Sequence, residues 1–231
     1  MNIADGVARD GFAIVPDVLT PEEVAALRTV AANADWARST RGNDVFGARN
    51  ILAVAEIAAL ARAPAVMTIV RACIGANARP VRGIFFDKTP GANWPVAWHQ
   101  DLTLAVAEKH DVDGWTRWSV KSGVHHVQPP VEVLERMITL RIHLDDNDAE
   151  NGPLKVLPGS HGLGRIAGER IAGLRVEMQE QTCLADAGSV LAMKPLILHA
   201  SSAAKSPRHR RTVHIEYAPE GLLPAPLRWT H

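Results

Sequence analysis

The chain has 231 residues in which 25 Lys and Arg balance 25 Asp and Glu, so a broadly cationic nucleic-acid binder or anionic-membrane binder is excluded and neither partner is expected. No apolar run approaches the length of a membrane span, and residues 1–10 have neither a basic nor an apolar leader region. Two cysteines, Cys73 and Cys183, make no disulfide framework and no CxxC metal pattern, so a cytoplasmic protein is the expectation.

Helical signals fill the first 80 residues. Phe12 to Pro16 reads as a short strand after Gly11. Thr20-Pro21-Glu22-Glu23 places a hydroxyl at the N-cap, proline at the first helical position and a carboxylate three residues after the cap. Val24, Leu27 and Val30 follow at helical spacing, which predicts a helix to about residue 33. Two more helices are expected over 51–63 and 66–74, the second closed by Gly75.

From residue 80 the apolar period shortens to two. Strands are expected over 81–88, 96–104, 137–145, 154–157, 189–193, 196–199 and 212–217, with Pro195 marking a bend or edge. In the 137–145 strand Ile138, Leu140, Ile142 and Leu144 oppose Thr139, Arg141 and His143. Val213, Ile215 and Tyr217 likewise oppose Arg210, Thr212, His214 and Glu216. Strands with one greasy and one polar face imply a sheet backed by helices and lining a polar cavity. Residues 105–130 have weak periodicity and carry Trp115, Trp118, His125, His126 and Gln128; a loop this long suggests a functional lid, and these side chains are candidate substrate contacts. The whole reads as one domain, helices first and then a β-sandwich or jelly roll.

None of the ten histidines precedes residue 99. Since a chain with 47% hydrophobic residues can fill its core unaided, a metal here would serve chemistry. In a strand, His-x-Asp or His-x-Glu presents both side chains to one side. Three such pairs exist, His99/Asp101, His143/Asp145 and His214/Glu216, against about one expected by chance, so the spacing does not choose among them. Two histidines and one carboxylate can hold Fe(II) with three positions open. His99 and Asp101 can complete that set with His199, and so can His143 and Asp145. Asp145, however, opens an acidic turn, and His214/Glu216 have only the terminal His231 downstream.

Lys205, Arg208, Arg210 and Arg211 form the one basic cluster. A hairpin over 201–209 would bring Arg210 into the cavity near His199, where its fork can grip a carboxylate, and would leave Arg211 outside. An exposed hairpin charge is the plainer alternative.

The ordered set Gly11-Phe-Ala-Ile-Val-Pro16, Trp98-His-Gln-Asp101, Leu144-Asp-Asp146, Asn151-Gly-Pro-Leu154, Pro158-Gly-Ser-His161, Gly188-Ser-Val-Leu191 and His199-Ala-Ser201 with Arg210 resembles the phytanoyl-CoA dioxygenase family of Fe(II)/2-oxoglutarate oxygenases. The resemblance implies a double-stranded β-helix, with N-terminal helices outside one sheet. It also implies iron on His99, Asp101 and His199, and Arg210 on the distal carboxylate of 2-oxoglutarate with Ser201 supporting it. Lys88, Thr139 and Arg141 fall where cavity-facing, cofactor-binding residues are expected; many relatives have an aromatic in place of Arg141. The cofactors implied are Fe(2+), 2-oxoglutarate and O2, and the carboxylate at Asp101 favours hydroxylation of a small-molecule substrate over halogenation. His161, Trp94 and Trp98 read as packing residues. A cupin-like metalloenzyme that does not use 2-oxoglutarate, or a non-catalytic binding module of the same fold, are the alternatives.

Overall fold

The structure, a computed structural model, describes residues 2–33, 38–41, 44–206 and 208–230, and for 38–41 and 44–46 the backbone alone. Two antiparallel sheets face one another as a jelly roll, the double-stranded β-helix. The large sheet runs in the order Phe12–Val15, Val190–Met193, Ile138–His143, Arg210–Pro219, Ala78–Lys88, Asp44–Arg49, Arg38–Arg41. The small sheet runs Gln181–Cys183, Leu154–Val156, His199–Ser201, Val96–His99. Among the described residues no helix is long and apolar enough to cross a membrane.

Alternation decides which face of the large sheet is dry. Ile138, Leu140 and Ile142 share one apolar cluster with Val213, Ile215 and Tyr217 of the neighbouring strand. Into the same cluster the helices Pro21–Asn33, Ala55–Leu60 and Pro64–Ile74 insert Val24, Leu27, Ile57, Leu60, Val66, Ile69 and Val70. Each such fully buried aliphatic side chain contributes about 1.5–3 kcal/mol. The Pro21–Asn33 helix begins on the expected capping box: Thr20 N–H donates to Glu23 Oε2 at 2.8 Å, and Glu23 N–H donates to Thr20 Oγ1 at 3.3 Å. Tyr217 pins sheet to helix layer, its hydroxyl donating to Ala61 O at 3.1 Å.

Several elements differ from the sequence reading. The helix expected over 51–63 is a 3-10 turn, Ile51–Ala53, and a short helix, Ala55–Leu60, because Val54 between them is extended. The strand expected over 96–104 divides into Val96–His99 in the small sheet and Leu104–Val106 in a third sheet. The strand expected over 196–199 starts only at His199. Residues 105–130 are not a structureless loop: Thr116–Lys121 and Val124–Gln128 form a hairpin that joins Leu104–Val106 in a three-stranded sheet. That hairpin packs Trp115 and Val127 on Val81, Leu134 and Leu227, an apolar cluster built from distant residues. The helix Ile3–Asp10, the strand pair Arg38–Arg41 and Asp44–Arg49, and the helices Val131–Glu135 and Ile171–Glu177 carried no recognised signal.

Gly188 ties the N-terminal segment to the sheet. Its carbonyl accepts from Val18 N–H and Leu19 N–H, each at 3.0 Å, and its N–H donates to His143 O at 2.8 Å. With φ of +87°, a Cβ there would lie 2.6 Å from the Leu19 carbonyl oxygen. Gly159 has a similar φ of +81° but open space around it. Gly159→Ala should therefore cost only the left-handed backbone penalty of about 1–2 kcal/mol, and Gly188→Ala distinctly more, because backbone must also move. Urea unfolding of the two variants checks the order; equal costs would contradict the close approach.

Candidate active site

Val96–His99 and His199–Ser201 pair antiparallel with His99 directly opposite His199, so both imidazoles leave the same face of the small sheet. Their ring centroids are 4.2 Å apart. Each Nδ1 meets a backbone carbonyl two residues back, Ala97 O at 2.8 Å and Ile197 O at 2.9 Å. A carbonyl can only accept, so Nδ1 carries a proton, and in the neutral tautomer Nε2 keeps its lone pair. Both Nε2 atoms turn to Asp101, at 3.8 Å from Oδ1 for His99 and 3.7 Å from Oδ2 for His199. One donor atom from each residue lies within 4.8 Å of the others, the one group of this kind among the described residues. Asp101 Oδ2 is buried and has no hydrogen-bond partner. Two imidazole nitrogens and one free carboxylate oxygen, converging from one side, fit a divalent iron.

Gln100, between two of these donors, faces the other way and fixes them. Its Nε2 donates to Leu196 O at 2.6 Å and Gly164 O at 2.8 Å, while Oε1 accepts from Ile166 N–H at 2.8 Å. Asp101 N–H donates to Pro195 O at 2.9 Å. On the other strand, Ser160 Oγ accepts Leu198 N–H at 2.9 Å, next to His199. These anchors are missed by a reading that looks only for ligands.

The donors open into a cavity of about 160 Å³ between the sheets. Phe86, Lys88, Arg141, Arg210 and His214 line it from the large sheet, and Val96, Leu154 and Ser201 from the small one. Lys88 donates to Ser201 Oγ at 3.1 Å and to Ser202 O at 2.7 Å. Arg210 donates to the Gly152 carbonyl, and its Nε has no partner. Against three cationic side chains the cavity wall offers one carboxylate, Asp101. Burial first, then the charges of Arg210 and Arg141, bring the Lys88 ammonium down to about 7. Burial and Arg141 also press on the Arg210 proton, but a guanidinium stays charged. The cavity wall thus carries positive charge in excess. Asp101 faces it with 29% of its side chain exposed; burial would raise its carboxyl, but His199, His214, His99 and Arg82 outweigh that and take it to about 2.

The other two His-x-acid pairs are spoken for. Asp145 accepts two bonds from the Arg211 guanidinium and one from its backbone N–H, all at 2.8 Å, and pairs with Arg28 at 3.1 Å. Glu216 pairs with Arg82 at 2.9 Å. His231 lies outside the described residues. Arg211 is outside the cavity and Arg210 inside it, but no hairpin places them there. His199–Ser201 and Arg210–Pro219 belong to facing sheets, and the link between them, of which residue 207 is not described, crosses from one to the other. The remaining basic residues meet acids of the 145–150 turn, Arg208 with Asp148 and Lys205 with Glu150.

Thr139, Trp118, His125, His126 and Gln128 do not line the cavity. Thr139 stands opposite Glu216, further along the sheet. Trp118 packs beside the Trp115 and Val127 cluster. His126 is buried in the hairpin with Nδ1 3.0 Å from Val124 O. His161 packs under Gly11, and its Nε2 meets Ala8 O at 3.2 Å.

Burial pushes His126 and His199 down to about 4 and His143, which also faces Arg141 and Arg210, to about 3. From about 6.5, the unfolded value, down to about 4, the unfolded chain binds protons that the folded one refuses, so stability falls as pH falls through that window. Asp101, held low, contributes stability that is lost only below its unfolded 3.8. Urea midpoints of the metal-free protein should drop steadily from pH 7 to pH 4; a flat profile would contradict the buried neutral histidines.

Comparison with solved structures finds the same fold. The protein AviO1 from Streptomyces viridochromogenes Tue57 is 22% identical, covering 97% of this chain and 96% of that one with a TM-score of 0.69. EctD from S. alaskensis, in a structure with 2-oxoglutarate and 5-hydroxyectoine, is 21% identical over 94% of this chain and 74% of its own, with a TM-score of 0.71. The non-heme alpha ketoglutarate dependent epimerase SnoN from nogalamycin biosynthesis is 21% identical over 98% and 92%, with a TM-score of 0.67. A search of curated proteins gives no match. The phytanoyl-CoA dioxygenase (PhyH) family model matches residues 7–212, a span that holds both halves of the His-Asp-His cluster and Arg210, and the chain belongs to that family.

Proposed function

We propose that the protein is an Fe(II)- and 2-oxoglutarate-dependent dioxygenase of the hydroxylase type, acting on a small organic molecule in the cytoplasm. The observation that carries this is the convergence of His99, Asp101 and His199 on one wall of a cavity whose other walls carry positive charge in excess. His99 and His199 would hold the iron through Nε2 and Asp101 through its carboxylate. When bound, iron and 2-oxoglutarate supply the oxidation, in which O2 converts 2-oxoglutarate to succinate and carbon dioxide and a substrate C–H bond is hydroxylated.

The chain's own part is binding, orientation and exclusion of water. Arg210, seated on the Gly152 carbonyl, offers its Nε edge to the distal carboxylate of 2-oxoglutarate. Lys88, held by Ser201 and Ser202, adds a second charge to that end of the cavity. The carbonyls of Ala97 and Ile197 hold both imidazoles in one tautomer, which raises their basicity as ligands. We read the three-stranded sheet of Leu104–Val106, Thr116–Lys121 and Val124–Gln128 as the cover of the substrate side. Supporting this, its tip is held at Ser122 O by Asn50 Nδ2 at 3.3 Å, and Lys121 is close enough for Asp101 to act on its charge. EctD was solved with 5-hydroxyectoine and SnoN is an epimerase, so the outcome of the oxidation needs its own test.

Succinate release over a broad metabolite panel provides that test. The wild type should show substrate-stimulated succinate and His99→Ala none; a silent wild type would overturn the reading. Arg210→Ala should weaken 2-oxoglutarate about 10- to 100-fold while metal binding persists, read from the visible absorption of the anaerobic Fe(II) complex. An anion stabilises the Lys88 ammonium, whose pKa is about 7 in its absence. Affinity for 2-oxoglutarate should therefore fall as pH rises through about 7, and the fall should disappear in Lys88→Met.

A further inference from the structure

Three cations line the cavity, and two of them have protein partners that suit a co-substrate site at one end: Lys88 on Ser201 and Ser202, and Arg210 on Gly152. Arg141 is different. It is 8% exposed, stands on the Ile138–His143 strand and turns into the cavity. Its guanidinium lies 5.6 Å from the Phe86 ring centroid, and its one hydrogen-bond partner is an imidazole, His214 Nδ1, 3.3 Å from Nη1. Arginine only donates, so His214 must present a lone pair at Nδ1 and carry its proton on Nε2, the atom 3.7 Å from Glu216 Oε1. Glu216 is in turn held by Arg82. His214 thus holds Arg141 through Nη1, with Glu216 and Arg82 in line behind it. Nε of Arg141 is left buried without a protein partner.

A buried guanidinium with no carboxylate in hydrogen-bond reach among the described residues is costly unless an anion joins it. Asp101 acts on Arg141 only from a distance, through its charge; among the described residues no hydrogen bond or ion pair joins the two, and its carboxylate converges with His99 and His199. Charge balance leads to the same place. Lys88, Arg141, Arg210 and a divalent metal bring five positive charges, and Asp101 and a dicarboxylate bring three negative ones. Nearby on the hairpin side, burial and the charge of Arg82 both press on Arg49 and Lys121, so the surroundings are also positive and favour the entry of an anion.

We infer that the primary substrate carries a carboxylate and that Arg141, fixed by His214 and Glu216, receives it separately from the co-substrate at Arg210. The free edge of the fork, Nε with Nη2, is the side that matches a carboxylate with two parallel bonds. This rests on the proposed oxygenase function for the separation of the two acids, and the test keeps the two ideas apart.

The full-length protein loaded with Mn(II) is titrated with acetate, butanoate, octanoate and benzoate, and with the matching amides, with and without saturating 2-oxoglutarate, following the thermal midpoint. Carboxylates should raise the midpoint beyond the 2-oxoglutarate response and amides should not. Arg141→Met should raise the half-saturating carboxylate concentration about 10- to 100-fold and leave the 2-oxoglutarate response in place. Arg141→Lys, which keeps the charge without the fork, should fall between and serves where the methionine variant does not fold. Equal responses to acids and amides, no acid response at all, or loss of the 2-oxoglutarate response in place of the acid response in the Arg141 variants would overturn the inference. If 2-oxoglutarate has no effect on the wild type yet the acid response still depends on Arg141, the oxygenase reading fails and the carboxylate site stands.

Discussion

The site depends on a single antiparallel register. Val96–His99 and His199–Ser201 are among the shortest strands in the molecule, yet their pairing sets His99 against His199. A slip of one residue would turn one imidazole to the opposite face. The register is therefore held from outside the pair. Leu154–Val156 pairs with the other edge of His199–Ser201, Gln100 bolts the turn after His99 to the Leu196 and Gly164 carbonyls, and Ser160 secures Leu198. Much of the fold's irregular backbone serves to keep two short strands in step.

The second constraint is where ionic groups find partners. On the outside of the roll, the acids of the 145–150 turn neutralise Arg28, Arg211, Arg208 and Lys205. Within the inner face, Glu216 answers Arg82 and Asp101 gathers two histidines. Lys88, Arg141 and Arg210 are left with carbonyls, a hydroxyl and an imidazole. The cavity thus carries a surplus of positive charge beside three candidate metal donors.

Some of this was legible in the residues. Alternation in 137–145 and 210–217 separates the helix-facing side from the cavity-facing side, because side chains in a strand take opposite faces in turn. The Thr20 to Glu23 box marks a helix start because the hydrogen bonds are local. His99, His199 and Asp101 stood out as metal-donor candidates once family order was added to spacing, and the geometry brings them together. The hairpin at 116–128 was not legible: what buries it is an apolar cluster assembled from Val81, Leu134 and Leu227, none of them its neighbours in the chain. Thr139 shares a face with Arg141 yet misses the cavity, since alternation gives the side of the sheet but not the depth along it. Trp118, His125, His126 and Gln128 looked like pocket residues when their segment was read as a loop, and pairing into the three-stranded sheet took them elsewhere.

By itself the sequence indicated a jelly roll backed by helices, because that rests on local periodicity, while the three metal-donor candidates and an arginine at 210 facing the co-substrate came from the family resemblance. Only the tertiary structure decided which His-x-acid pair is free. Asp145 and Glu216 have the same spacing to a histidine as Asp101, and they differ in having an arginine within 3 Å. Those arginines arrive from other strands, so no count along the chain reveals them. The same long-range packing leaves Arg141 without an acid of its own, which is why its role could be read only from the fold.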